Sequence, residues 1–256
     1  MLARYLGDST AFNLLGDNVT IDLSKLTPKE QNAVASTRER VAALHAELPR
    51  NGLVVWTAGN VSERVPGVDL FVIKPSGVSY DELAPESMVV CTLDGQKILD
   101  GTPDELAPSS DTAAHAYVYR HMPEVNGVVH THSPYATAWS ARREPIPCVL
   151  TMMADEFGGD VPIGPFALIG DDSIGQGIVE TLKDSRSPAV LMANHGPFTI
   201  GNDARAAVKA AVMVEEVART VHISRQLGEP EPIAQDDVTS LYERYQNVYG
   251  QQGVEE

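Results

Sequence analysis

Short β-branched runs and helical periods alternate along this chain of 256 residues without a strict strand–helix–strand rhythm. That pattern constrains the fold more than any single motif. Regular βαβ repeats build parallel sheets, whereas neighbouring strands joined by hairpin signals build antiparallel ones. The expectation is a single α/β domain with a mainly antiparallel sheet. Thr27-Pro28-Lys29-Glu30 spells a helix start, with Thr27 as N-cap, Pro28 in the first turn and Glu30 closing a capping box. Val34, Val41, Leu44 and Leu48 continue at helical spacing until Pro49 to Gly52 ends the helix.

Strands are expected at 53–57, 70–74, 88–92 and 96–100, the last two flanking Asp94-Gly95, a hairpin signal. Further helices are expected at 111–121, 135–141, 174–183 and 203–227. Further strands are expected at 125–132, 146–151, 161–169 and 188–193, with a short continuation at 198–200. Residues 1–26 show no sustained period and read as an irregular arm ahead of a domain at 27–256.

A formal charge of −16 argues against nucleic acid, whose phosphates call for clustered Lys and Arg. A phosphorylated metabolite is still admissible, because a metal, backbone N–H groups and one lysine make a positive pocket on an acidic surface. No apolar run approaches the ~18–20 residues of a membrane span. Residues 1–15 have too little basic charge for a secretory signal. Two cysteines, Cys91 and Cys148, cannot build a disulfide framework, so a reduced cytoplasm is the expected compartment.

The most informative stretch for chemistry is residues 125–132, ending His130-Thr131-His132. Residues two apart on a strand share a face, so both imidazoles can reach one ion. Two imidazoles with a third ligand suit zinc or a similar ion. The alternative is a pair of exposed or hydrogen-bonded histidines. His195 follows the apolar run 188–193 and is either a third ligand or a turn histidine. Asp111 either caps a helix or joins the ion. His115, four residues on, either shares that face or supports the core. His45, His121 and His222 read as structural or exposed.

Three segments have anion-friendly chemistry. Gly59-Asn60-Val61-Ser62 offers close backbone approach, an amide and a hydroxyl. Lys74-Pro75-Ser76-Gly77 offers an ammonium, a hydroxyl and a flexible turn. Ser109-Ser110 sits where a helix begins. Each is an ordinary turn by itself, and they form one phosphate cup only if the fold sets them side by side.

These segments, with Val128-Val129-His130-Thr131-His132-Ser133 and Asn194-His195-Gly196-Pro197-Phe198, occur in the order found in the class II aldolase and adducin family, which the chain resembles over roughly residues 28–251. The resemblance implies a central, mainly antiparallel sheet flanked by helices, and a homotetramer with active sites between subunits. It implies a Zn2+ or Mn2+ site at His130, His132 and His195, and a substrate phosphate held by Gly59, Asn60, Ser76, Gly77, Ser109 and Ser110. Lys74 is expected to touch substrate.

Asp111 follows the paired serines, where the family's aldolases of the fuculose-phosphate type carry Glu. In this the chain resembles the L-ribulose-5-phosphate 4-epimerases, in which that Asp joins the metal site. Thr151, Asp155 and Tyr249 match catalytic positions of those enzymes, the last within Tyr249-Gly250-Gln251. The implied reaction is retro-aldol cleavage and re-addition in a phosphorylated ketopentose, with Asp155 and Tyr249 as proton carriers. The alternatives are a phosphoketose aldolase releasing its fragments, and a non-catalytic adducin-like module. The chain departs from the epimerases at Met152 and Met153, in a shorter stretch from Asp155 to His195, and in its N-terminal arm.

Overall fold

In the computed structural model, which describes residues 21–248, the capping box forms as expected. The Thr27 side chain accepts from the Glu30 N–H, and the Glu30 carboxylate accepts from the Thr27 N–H. Helix α1 (Pro28–His45) buries Val34 and Val41, and a one-turn helix α2 (Glu47–Arg50) buries Leu48.

Seven strands follow: β1 (Asn60–Arg64), β2 (Leu70–Ile73), β3 (Val89–Thr92), β4 (Gly127–His130), β5 (Ile163–Gly164), β6 (Ala189–Met192) and β7 (Gly196–Gly201). They form one sheet in the order β3-β2-β1-β4-β7-β6-β5. Only the β5–β6 pair is parallel, so the sheet is mainly antiparallel, as the pattern of runs implied.

Alternating side chains give the sheet two apolar faces. Phe71, Val128, Val190 and Phe198 face helices α3 (Thr112–His121) and α6 (Ser173–Leu182). On the opposite face Val61 and Val129 meet Ala207, Val208 and Ala211 of the long helix α7 (Ala204–Leu227). Helix α1 covers β2 and β3 on that side through Val34 and Val41. Helices α4 (Pro134–Arg142), α5 (Thr151–Phe157) and α8 (Gln235–Val248) extend the same layer around Ala189 and Leu191. The result is helix, sheet, helix, with the core split between the two faces.

Several expectations are corrected. Residues 53–57 are a loop: Leu53 is tied back to the Leu48 carbonyl, and Val55 and Trp56 are exposed, which leaves no buried strand face. The strand lies instead at β1. The second arm of the Asp94-Gly95 hairpin shrinks to a bridge between Cys91 and Lys97. Residue 146 bridges Val161, but 151–157 coil into α5 because Met153, Ala154 and Phe157 then share one buried side. The expected strand at 161–169 reduces to β5, with Phe166, Leu168 and Ile169 exposed. β7 does not continue β6 but folds back antiparallel on it.

Helix α8 was not foreseen. At the other end, residues 21–26 are not wholly irregular: Ile21 and Leu23 pair with Leu99, and Leu23 and Leu26 pack beside α1. Both cysteines are buried free thiols on opposite sides of the sheet. Among the described residues no helix is long and apolar enough to cross a membrane.

Candidate metal centre and anion pocket

The end of β4, the start of β1 and the β6–β7 turn meet at one place. Asn60 on β1 is paired directly with His130 on β4, and His130 in turn with Phe198 on β7. His132 lies two residues beyond His130. His195 sits in the turn between β6 and β7, where Asn194 adopts a left-handed conformation and the His195 N–H donates to the Met192 carbonyl.

These local geometries bring three imidazoles together, with one ring nitrogen from each of His130, His132 and His195 lying within 4.8 Å of the others. The Nε2 atoms of His130 and His132 are 3.0 Å apart. The His130 Nδ1–H donates to the Pro197 carbonyl at 3.0 Å, which leaves Nε2 as a lone pair. With a proton on His132 Nε2 this contact is an N–H···N hydrogen bond; with both nitrogens presenting lone pairs it is a place for a cation. Burial, then the neighbouring His195 and His132, hold His130 well below the usual histidine range, so its ring stays neutral with Nε2 available as a ligand. Burial also lowers His132 and His195, while Asp111 pulls both the other way.

A tetrahedral ion with bonds of ~2.0–2.1 Å sets its nitrogen ligands roughly 3.3 Å apart, close to the 3.0 Å between His130 and His132 and inside the 4.8 Å that bounds all three. The donor set therefore fits a divalent cation. Asp111 occupies the N-cap position of α3 but makes no side-chain cap bond. Its Oδ2 accepts from the Asn60 amide at 2.7 Å, and its buried Oδ1 has no partner. Asp111 thus lines the same cavity as His132 and His195, but the group of ligand atoms within 4.8 Å of one another comprises the three imidazoles without it.

The three anion-friendly segments do lie side by side. The Ser109 N–H donates to the Lys74 carbonyl, the Ser76 N–H donates to the Ala107 carbonyl, and Pro75 bridges Pro108. The Asn60 amide reaches the Ser109 hydroxyl at 2.9 Å. Gly59 has φ +79°, and a Cβ there would stand 2.6 Å from Val54 and 3.0 Å from the His130 carbonyl, so only glycine lets this backbone approach.

A cavity of about 240 Å³ is lined by Gly59, Asn60, Lys74, Ser76, Gly77, Ser109, Ser110, Asp111, His132 and His195. Lys74 is buried, its ammonium held by the Thr57 and Pro75 carbonyls, and burial lowers its pKa to about 8. Thr151 and Asp155 lie on α5 and do not line the cavity. Tyr249 lies outside the described residues.

Sequence reasoning missed two features here. Ile169 lines the cavity beside the histidines, although its stretch was read as a strand. Behind the cavity, the Ser62 hydroxyl bonds both His115 Nδ1 and the Tyr119 hydroxyl at 2.7 Å. Of the two readings of His115, the structure bears out core support: its ring is fully buried and it is not one of the three clustered imidazoles. His45 is likewise structural: its Nδ1–H donates to the Val41 carbonyl and its Nε2 accepts from the Val61 N–H.

Burial pushes both His45 and His115 down to about 3. Unfolded, these rings titrate near 6.5, so between pH 6.5 and 3 the unfolded chain binds more protons. Stability of the metal-free protein is therefore expected to fall with falling pH across that window, by roughly 1.4 kcal/mol per pH unit for each ring. Denaturant unfolding at pH 7.5 and 5.5 measures it; equal midpoints would contradict neutral buried rings.

Comparison with known proteins agrees with this geometry. Residues 39–222 match the family described as the Class II Aldolase and Adducin N-terminal domain. The chain belongs to that family. Among solved structures of similar proteins, an L-fuculose 1-phosphate aldolase superposes with a TM-score of 0.75 at 25% identity, covering 82% of this chain and 96% of its own. YgbL of Klebsiella pneumoniae, described as a candidate aldolase/epimerase/decarboxylase, gives a TM-score of 0.70 at 30% identity, covering 81% and 98%. YgbL of Escherichia coli, described in the same words, gives 0.70 at 26% identity over 81% and 98%. The family fold and the sheet described above are the same architecture, and the five sequence motifs that suggested membership all lie at the edge of one cavity or directly behind it.

Proposed function

We propose that this chain is a divalent-metal enzyme that breaks and re-forms a carbon–carbon bond in a small phosphorylated ketose, in the manner of an L-ribulose-5-phosphate 4-epimerase. The observation that carries the reading is the convergence of three imidazoles, two of them (His132 and His195) on the wall of a small cavity that is also lined by the three anion-friendly segments. His130, His132 and His195 would hold the ion, zinc or manganese, with Asp111 beside them. When bound, such an ion supplies Lewis acidity to a ketone oxygen and its neighbouring hydroxyl.

The chain's own groups do the rest. Backbone at Gly59 and Gly77, the hydroxyls of Ser76, Ser109 and Ser110, and the Asn60 amide grip the phosphate, helped by the N-terminal end of α3. Lys74 adds positive charge at neutral pH. This grip holds the cleaved fragments as an effectively intramolecular pair, so that rotation and re-addition outrun escape. Inversion needs a proton carrier on each face of the reacting carbon. Asp155 and Tyr249 are proposed for these roles, with Thr151 beside Asp155.

Because Thr151 and Asp155 stand away from the cavity of their own chain, they are assigned to the site of a neighbouring copy in a homotetramer. A cavity of about 240 Å³ is below the ~300–1,000 Å³ of typical small-molecule sites, as suits a pocket completed by another subunit.

A second reading, cleavage without re-addition, is favoured by the likeness to the L-fuculose 1-phosphate aldolase. The non-catalytic adducin-like reading is opposed by the complete histidine set. Turnover assays with L-ribulose 5-phosphate and L-fuculose 1-phosphate separate the first two. Conversion of the former to D-xylulose 5-phosphate, dependent on added ion and abolished by chelation, is expected. Release of dihydroxyacetone phosphate from the latter alone would move the assignment to the aldolase. Inactivity of ion-loaded protein on both would remove the phosphoketose reading.

A further inference from the structure

Helix α4 connects two of the three clustered histidines. It begins at Pro134, two residues after His132. At its far end the Ser140 carbonyl accepts from the Asn194 N–H at 2.9 Å, and Asn194 precedes His195. The Arg143 Nε–H, one residue past the helix, donates to the Asn194 side chain at 2.6 Å. The position of α4 along its own axis therefore sets where His132 and His195 stand relative to each other.

The start of α4 is capped in an unusual way. Ser133 is the N-cap residue, yet its side chain makes no cap bond and is buried instead near Thr131. Pro134 has no N–H to satisfy. The first two free donors are the Tyr135 and Ala136 N–H groups, and both point at one carboxylate. Glu215 of α7 accepts from Tyr135 through Oε1 at 3.0 Å and from Ala136 through Oε2 at 2.9 Å. Charge-assisted bonds of this kind at a helix N-terminus are among the stronger ones, because the carboxylate also meets the positive end of the helix dipole. Helix α7 is itself packed on β4 and β1 through Ala207 and Val208.

From this we infer that Glu215 is a positioning residue of the metal centre: it pins the start of α4 to α7 and so fixes His132 and His195 at ion-binding separation. The inference rests on the metal reading above and names a residue that touches neither ion nor substrate. A carboxylate fits the site better than its amide, since Gln at 215 would present an NH2 group to one of the two N–H donors.

The test compares E215Q with wild type and with E216Q, a neighbouring carboxylate paired on the surface with Arg219. Zinc affinity is measured on the metal-free full chain by competition with a chelator, and unfolding midpoints of the same metal-free samples are recorded alongside. E215Q is expected to bind zinc on the order of 10-fold more weakly, the lower end of the range for groups that bond a metal ligand directly, because Glu215 acts through the backbone of α4. E216Q is expected to match wild type, and E215D, which keeps one of the two bonds, to fall between. A merely structural role for Glu215 would lower the midpoint and leave the affinity of the folded protein untouched. Wild-type affinity in a folded E215Q overturns the inference while leaving the metal reading intact. Absence of zinc uptake by wild type overturns both.

Discussion

Replacing His195 with alanine is expected to lower affinity for zinc or manganese by more than ~100-fold and to abolish turnover, with the fold intact. Changes behind a metal ligand already cost about 10–100-fold, so removing a ligand itself costs more. His195 suits the test because it is half-buried in a turn, where its ring meets only the rings of His130, His132 and Phe198 among the described residues. His130 is a poorer choice, since its fully buried ring stacks on Phe198 and bonds the Pro197 carbonyl. Chelator competition paired with an unfolding curve reads both quantities. An H195A protein that binds the ion as wild type does would remove His195 from the site.

The largest effect on stability is expected at Gly127, which opens β4 on the far end of the sheet from the histidines. A Cβ there would lie 2.3 Å from the Asp203 carbonyl oxygen and 2.5 Å from the Ala204 Cα, both backbone atoms of the α7 start. Flexible side chains can step aside from such a contact, but a capped helix start cannot. Asp203 is the N-cap of α7, its carboxylate accepting from the Ala206 N–H. G127A must therefore lift α7 away from β4 or bend the strand, and overpacking of this kind costs about 3 kcal/mol, at the upper end of its usual range. A fall in the denaturant midpoint equivalent to that loss is expected, with weaker ion binding because β4 also carries His130. An unchanged midpoint would mean that α7 does not sit against β4 as described.

The parts of this molecule legible in the sequence were those fixed by near neighbours. The capping box at Thr27 and Glu30, the hairpin turn at Asp94-Gly95 and the shared face of His130 and His132 each depend on a few adjacent residues. Strand β1 was hidden because three of its four buried positions are polar, Val61 being the exception. Asn60 is taken up by Ser109 and Asp111, Ser62 by His115 and Tyr119, and Glu63 by Arg40. Val61 alone makes no hydrophobic alternation, and on the opposite face Asn60 and Ser62 bond rather than pack.

Helices α5 and α8 were missed for a related reason: they bury their apolar sides largely against each other and α7, a pairing that exists only in three dimensions. The phosphate-cup geometry depends on bonds between 74–76 and 107–109, which no local spacing encodes. The residue types of the site were therefore readable, whereas their juxtaposition was not. Asp111 shows the limit clearly. It sits where a helix cap belongs, yet its carboxylate turns away from the helix and into the cavity.

The most direct measurement is anomalous diffraction at the zinc edge from crystals of the zinc-loaded protein. One strong peak per chain is expected, within about 2.0–2.3 Å of a ring nitrogen from each of His130, His132 and His195. A peak elsewhere, or one touched by only a single member of the three, would contradict a shared metal centre.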